Sequence, residues 1–312
     1  MIKKGTGSFV HRQHTDVGYR CLQCGNGLTK TGSALICTKC KESYDRFIKE
    51  GIEIIDFKKL SSLLCQCNRD GETKHAIDLS TQLKELKITK LEKQENSFLP
   101  LKTKTILRIC GKNNTILDIG CAEGPYSQFL SNNNDLYGMD QCPQRLFLEN
   151  TENALCKGYK AILIGDCTLI PFQNSNLDVI IATEVIEHIT ETRKCLREMK
   201  RVLKRGGKAI ISVPNLVSIY NRISILLGSG LGLAPWKFLH EKTIYDRWTS
   251  IRYPEQSLHV RFFTFDSLRN LLHEEGFKIV ERVGIDPILE KFHLNNLLMK
   301  FCEDLLVVAE SV

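Results

Sequence analysis

Three sets of residues in this 312-residue chain have the types and spacing to do chemistry. The first is Cys21-Leu-Gln-Cys24 followed, twelve residues on, by Cys37-Thr-Lys-Cys40. Two C-x-x-C knuckles at that separation can place four thiolates tetrahedrally around one Zn2+. Such a set leaves no position for a catalytic water, so its expected role is structural. The bland alternative is four unrelated buried thiols. The second set is Asp118-Ile-Gly120-Cys121-Ala122-Glu-Gly124. Small residues at 120, 122 and 124 let the backbone pass close beneath a ligand, where a Cβ would collide. The spacing differs from the dinucleotide pattern G-x-G-x-x-G, and a carboxylate stands two residues before the first glycine. A pyrophosphate seeks amide donors at a helix N-terminus and would be repelled by that charge. A ligand carrying an ammonium group and a ribose would be drawn to it. The third set is Glu184-Val-Ile-Glu187-His188. At helical spacing these three side chains share one face. Glu184 or His188 can act there as a general base or orient an acceptor. Alternatively all three ligate a divalent metal that lowers the pKa of an acceptor hydroxyl, or they merely begin a helix.

Positioning these sets requires a sheet. From residue 115 onward short apolar runs alternate with amphipathic segments. Strands are expected at Ile116–Ile119, Asp135–Met139, Ala161–Ile164, Leu177–Ala182, Lys208–Val213, Lys278–Gly284 and Leu305–Ala309. Helices are expected over 125–131, 143–155, 192–203 and 266–275. That alternation predicts a doubly wound α/β fold with a mostly parallel sheet, its ligand at the carboxyl ends of the strands. Asp140, with Gln141 beside it, ends the second strand. An acid there can accept both hydroxyls of a ribose. Asp166 and Cys167 follow the third strand, and Met139 and Leu169 could sandwich a base or simply fill the core. The expected units are a basic arm over 1–20, a ribbon over 21–56, a helical linker over 57–114 and a large domain over 115–312. The linker contains the amphipathic stretch 77–98, a helix over 99–109 and the unpaired Cys65-Gln-Cys67.

Bulk composition excludes several classes. Hydrophobic content of 42% and charged content of 25% suit a globular protein, and a net charge of +7 permits an anionic partner without demanding one. Neither a secretory leader nor a run long enough to span a bilayer is expected. Thirteen cysteines, an odd number in an α/β chain, suggest reduced thiols and a cytoplasmic location.

Two resemblances sharpen these readings. Residues 21–55, with Cys21-x-x-Cys24-Gly25-x-Gly27-Leu28, Leu35-Ile-Cys37-x-x-Cys40, Tyr44 and Gly51-Ile-Glu-Ile-Ile55, resemble the zinc ribbons of rRNA and tRNA methyltransferases and their activator proteins. Gln23 and Glu53 replace the usual prolines. Residues from about 105 to 310 resemble class I S-adenosylmethionine-dependent methyltransferases. The resemblance is carried by Leu117-Asp-Ile-Gly-Cys-Ala-Glu-Gly124, Leu136-Tyr-Gly-Met-Asp140, Gly165-Asp-Cys-Thr-Leu-Ile-Pro-Phe172, Leu177 to Ile189 and Arg201-Val-Leu-Lys-Arg-Gly-Gly207. It implies a Rossmann-like seven-stranded sheet whose last strand is antiparallel, with S-adenosylmethionine as cofactor. It also implies that Asp118 faces the methionine amino group, directly or through water, that Asp140 binds the ribose, and that Asp166 and the Cys167 N–H meet the adenine. The Glu-x-x-Glu-His run is similar to the metal motif of quinone-biosynthesis O-methyltransferases.

The acceptor is less legible. Residues 216–261 form an apolar insertion with Trp236, Phe238, Tyr245 and Trp248, expected as a substrate lid, a helical subdomain or a dimer contact. An apolar lid favours a small-molecule, lipid or glycan acceptor, methylated at oxygen, or peripheral contact with a membrane. An RNA- or ribosome-directed enzyme using the ribbon, and a non-catalytic adaptor keeping the fold, are the alternatives. His259-Val-Arg-Phe-Phe-Thr264 resembles methyltransferases of surface glycan, lipid and small-molecule pathways.

Overall fold

A computed structural model describes residues 18–49, 52–57, 99–122, 124–141, 158–226 and 259–312. Most of the expected arm, the Cys65/Cys67 pair, the helices expected over 77–98 and 143–155, and most of the 216–261 insertion lie outside the described residues. The N-terminal unit contributes β1 (Leu28–Thr31), β2 (Ala34–Cys37), β3 (Ser43–Lys49) and β4 (Ile52–Asp56). After α1 (Leu101–Cys110) come β5 (Thr115–Ile119), α2 (Ser127–Leu130), β6 (Asp135–Asp140) and β7 (Ala161–Ile164). Then follow β8 (Leu177–Thr183), α3 (Thr192–Val202), β9 (Leu203–Pro214), α4 (Ile219–Leu226) and α5 (Phe265–Glu274). The chain ends through β10 (Phe277–Ile285), α6 (Pro287–Lys291) and β11 (Asp304–Ser311).

All seven expected strands form; the central ones are apolar runs buried on both faces, with β7, Ala161-Ile-Leu-Ile164, buried throughout, whereas β10 at the edge exposes alternate residues. The main shift is β9, which begins at Leu203 rather than Lys208. Leu203 leaves α3 in an extended conformation and pairs with Leu177 of β8. Helix α3 directs Cys195, Leu196, Met199 and Val202 inward and its basic side chains outward, the stripe expected of a helix laid on a sheet.

The strands run β7-β6-β5-β8-β9-β11-β10 across the large domain. Pairing is parallel from β7 to β9, and β11 is antiparallel to both its neighbours. The order reverses at β5, since β6 lies on one side of it and β8 on the other. A crevice therefore opens at their carboxyl ends, where such sheets bind ligands.

The ribbon is not a separate bead. Strand β4 pairs in parallel with β7, from Glu53 beside Ala161 to Asp56 beside Ile164, so β1 to β4 extend one eleven-stranded sheet. The Phe57 N–H continues the ladder, donating to the Ile164 carbonyl at 3.0 Å. Behind this seam Tyr44, Phe57, Tyr19, Phe172 and Tyr137 stack in a chain of aromatic contacts 4.9 to 6.2 Å apart. Arg20 adds a 2.8 Å ion pair to Glu198 of α3, and Arg201 holds the other Glu198 oxygen at 2.7 Å. The edge of β7, which would otherwise offer unpaired amides to other chains, is covered.

Candidate active site

The chain leaves β5 through three left-handed residues, Gly120 (φ 68°), Ala122 (φ 41°) and Gly124 (φ 73°). Gly120 is constrained by space as well, since a Cβ there would stand 2.6 Å from Val185 Cγ2. The loop thus lies directly against the segment that follows β8. Asp140, at the end of β6, accepts a hydrogen bond from the Ala122 N–H at 3.0 Å and ties the loop to the neighbouring strand. Asp166 follows β7 and accepts from the Thr168 N–H at 2.8 Å, with its carboxylate half-buried. Gln141 lies half-buried next to Asp140. These acids stand at the carboxyl ends of adjacent strands.

The remaining loop residues turn into the protein. Asp118 is buried beneath the loop and accepts from the Tyr159 hydroxyl at 2.7 Å. Burial pushes its carboxyl up to about 7; the Tyr159 bond opposes that shift and the charge of Asp140 adds to it. The expectation that Asp118 faces a ligand ammonium group thus meets a carboxylate already engaged inside the fold. Cys121 is buried with its Sγ in the space left by Gly138, where a Cβ would approach it to 2.8 Å. The Cys167 thiol is buried beside Cys195.

Beyond β8 the structure corrects the expectation of one helical face. Glu184 is a bend with φ 54°, and only a single 3-10 turn, Ile186–His188, follows it. The Glu184 N–H donates to the Ser212 carbonyl at 3.0 Å, which fixes the bend. Its Oε1 accepts from Lys102 Nζ and from Ser212 Oγ, both at 2.6 Å. Burial pushes Lys102 down, but Glu184 and Asp304 outweigh it and hold the ammonium above its ordinary value. Glu184 is therefore tied to Lys102 and Ser212, while its charge still acts on Glu187 and His259.

Glu187 and His188 gather with His259 instead. Their ligating atoms lie within 4.8 Å of one another. Glu187 is 1% exposed, and among the described residues neither carboxylate oxygen has a hydrogen-bond partner. Burial, reinforced by the Glu184 charge, pushes its carboxyl up to about 8. The His188 and His259 rings meet edge to face at 4.7 Å. Backbone bonds hold the second histidine in place: Val260 and Arg261 donate their N–H groups to the Glu187 carbonyl at 3.0 and 3.1 Å. Sequence reasoning missed Lys102 and Tyr159, and noted His259 beside the lid aromatics and in a resemblance without giving it a role. The signal for His259 was available as a second histidine at the head of a polar–aromatic run leading into α5.

At the ribbon, the two knuckles share one local geometry. The Gly25 N–H bonds the Cys21 carbonyl at 2.8 Å, and the Lys41 N–H bonds the Cys37 carbonyl at 3.1 Å. Gly25 (φ 75°) and Lys41 (φ 63°) then turn left-handed alike. Cys21 Sγ lies 3.5 Å from Cys40 Sγ, and Cys24 Sγ lies 3.4 Å from Cys37 Sγ. Burial pushes the Cys37 thiol up, but the N–H groups of Cys40 and Lys39 with the adjacent thiols outweigh it and lower it to about 6. Four sulfur atoms so arranged can hold one tetrahedral Zn2+.

Comparison with known proteins bears on the large domain. Residues 91–282 match the family model described as "Methyltransferase domain". An uncharacterized protein of Methanocaldococcus jannaschii is 28% identical over 202 residues, which cover 63% of this chain and 76% of that protein. The demethylmenaquinone methyltransferase of Thermotoga maritima is 26% identical over 171 residues, covering 53% of this chain and 70% of the relative. A solved S-adenosylmethionine-dependent methyltransferase from Methanosarcina mazei is 18% identical with a TM-score of 0.46, covering 67% of this chain and 97% of that one. With a family match spanning more than half of its length, this chain belongs to the methyltransferase domain family.

Proposed function

We propose that the protein transfers a methyl group from S-adenosylmethionine, by in-line displacement, to an oxygen of a small-molecule, lipid or glycan acceptor. The observation that carries this reading is the pairing of the Gly120–Gly124 loop, through Val185, with the Glu187–His188–His259 cluster. A cofactor crevice and a group of acid–base side chains thereby share one wall.

The residues present fit the cofactor. A loop with three left-handed residues offers backbone without bulk, and two carboxylates at adjacent strand ends offer acceptors spaced for hydroxyl and amino donors. Asp140 would hold the ribose hydroxyls, Asp166 with the Cys167 N–H would meet the adenine, and the loop would underlie the methionine part. Asp118 would act from below, as a charge reached through the loop. When bound, the cofactor supplies an electrophilic methyl group. The chain's own task is to orient the acceptor and exclude water, effects worth several kcal/mol in such displacements. The Glu187–His188–His259 cluster would assist loss of the acceptor's hydroxyl proton, which a neutral oxygen must lose as it attacks. The four-cysteine ribbon would hold structural Zn2+ and brace the β7 edge.

Two features support an apolar acceptor. Val260 and Phe262, which flank the segment after His259, are more than half exposed at the rim of the cluster. The Thermotoga relative is named for a demethylmenaquinone, a molecule of the small, apolar class. The test is tritium transfer from labelled S-adenosylmethionine into cell extract separated into lipid, glycan, soluble and RNA pools. Label in a lipid, glycan or small-molecule pool, released by hydriodic acid as methyl iodide, is the expected result. Label retained after that treatment would move the methyl to carbon or nitrogen. Label in RNA would establish the nucleic-acid reading, and failure to bind the cofactor at all would leave a non-catalytic adaptor.

A further inference from the structure

We propose that Glu187, His188 and His259 form a binding site for one divalent first-row transition ion, with open positions turned toward the acceptor. The ligand set is not the one the sequence motif implied, because Glu184 is committed elsewhere and His259 takes its place.

Four independent observations converge on the site. First, the Glu187 carboxylate is 1% exposed and, among the described residues, has no hydrogen-bond partner at either oxygen. A buried ionisable group left in that state is costly, and coordination of a cation is one of the few ways to relieve it. Second, the donor atoms of all three residues already lie within 4.8 Å of one another, so small side-chain rotations would bring them to bonding distance of a common centre. Third, the two segments are fastened together by backbone bonds. The Val260 and Arg261 N–H groups both donate to the Glu187 carbonyl, and the Arg261 guanidinium reaches the Thr190 carbonyl at 2.7 Å. His259 is thus held against Glu187 by main chain. Fourth, Glu184, the other acid of the run, accepts from Lys102 and Ser212 at 2.6 Å each. A carboxylate oxygen neutralised by an ammonium group makes a poor metal ligand.

The donor set defines the ion. Two imidazole nitrogens and one carboxylate suit manganese, iron, cobalt or zinc better than the all-oxygen preference of Mg2+. Three protein ligands leave two or three positions vacant. His188 and His259 are partly or largely exposed, so those positions open outward. An oxygen anion such as a phenolate or enolate is the class of ligand they would take. The site's relevance to catalysis rests on the methyltransferase reading; metal binding itself does not.

The test uses the full chain with its ribbon zinc in place and Mn2+ as the probe, since Mn2+ competes poorly for the four thiolates. Paramagnetic resonance titration should show one Mn2+ per chain, with electron-spin-echo couplings from two imidazole nitrogens. His259→Ala and His188→Ala should each weaken binding at least tenfold and remove one nitrogen coupling. Glu184→Gln should leave the affinity within about threefold. Circular dichroism melts of each variant guard against misfolding, and His259, being exposed, is the substitution least able to disturb the fold. Absence of saturable Mn2+ binding, or binding lost in Glu184→Gln and kept in His259→Ala, would overturn the proposal. Calorimetric binding of S-adenosylmethionine to the same samples separates this outcome from failure of the methyltransferase reading. Cofactor bound without metal sinks the site alone, and metal bound without cofactor sinks the activity alone.

Discussion

Lys102 of α1 sits 2.6 Å from Glu184 of the β8 exit, joining the helix that precedes the cofactor loop to the segment that faces it. The pair bridges 82 residues of chain and holds Glu184 in a left-handed bend that its backbone would not adopt unaided. Asp304 at 3.9 Å makes Lys102 the hub between two carboxylates. Replacing Lys102 by Met leaves these acids without their counter-charge, so stability should fall by about 1–3 kcal/mol. A double-mutant cycle with Glu184→Gln, followed by urea unfolding, should give a coupling of about 1 kcal/mol or more. Additive losses would show that the two side chains do not act together.

Because β4 is hydrogen-bonded to β7, the proposed zinc site at the ribbon and the proposed cofactor crevice share one sheet. Strand β7 ends at Ile164, and Asp166 follows two residues later, so loss of the ribbon would free the strand that presents the acid proposed to meet the adenine. A unit this small would owe most of its folding to the proposed metal. Cys21→Ser combined with Cys37→Ser should lower the melting temperature of the whole protein and weaken S-adenosylmethionine binding at least tenfold. Thermal melts with calorimetry check both. A variant with unchanged cofactor affinity would make the ribbon an appendage.

The pattern of what was legible follows from distance along the chain. Strands β5, β7, β8 and β9 announce themselves because each contains a run of β-branched and aliphatic residues buried on two faces, while β6 shows itself by its spacing between β5 and β7. The four cysteines announce their cluster because both knuckles are local. The strand-end acid at 140 was read by counting from β5, and the one at 166 from the family resemblance. What was hidden is long-range. Nothing in Ile52-Glu-Ile-Ile-Asp56 marks it as the neighbour of Ala161-Ile-Leu-Ile164, nor in Lys102 as the partner of Glu184. Asp118 is a different case. Leu117 and Ile119 belong to one core and Ile116 to the other, so strand parity alone sends Asp118 to the Ile116 face. That inference was open to the sequence, and it points the carboxylate toward Tyr159.

Asp118 gives the protein a pH-dependent stability. Its folded pKa, about 7, lies above the ordinary carboxylate value of about 3.9. The native state therefore keeps a proton that the unfolded chain has already released. Its contribution is full below about pH 4 and is lost as pH rises through about 7. The groups that face it are the Tyr159 hydroxyl, the Asp140 carboxylate, and the Cys110 and Tyr126 side chains. Asp118→Asn has no proton to lose and can still accept from Tyr159. The variant should be the more stable protein at about pH 8, by roughly 2–4 kcal/mol, and the gap should close near pH 4. Urea titrations across that range read the difference, and a gap independent of pH would assign the burial cost to packing instead.

Asp140 carries two tasks that substitution can separate. It accepts the Ala122 N–H at 3.0 Å, and it stands where the ribose hydroxyls of the cofactor would arrive. Asp140→Ala removes both the loop tether and the charge-assisted acceptors, so S-adenosylmethionine binding should weaken by about 1.5–3 kcal/mol, roughly ten- to a hundredfold. Asp140→Asn retains one amide oxygen for the Ala122 N–H but not a carboxylate that can accept two hydroxyls at once. If the ribose contact dominates, the Asn variant binds nearly as poorly as the Ala variant. If the tether dominates, Asn restores most of the affinity, because the left-handed loop at Ala122 stays anchored. Calorimetry on the three proteins resolves the two contributions. A 2′,3′-dideoxy analogue of the cofactor gives the control: its affinity should be insensitive to the Asn substitution, and equal losses for both ligands would remove Asp140 from the ribose site.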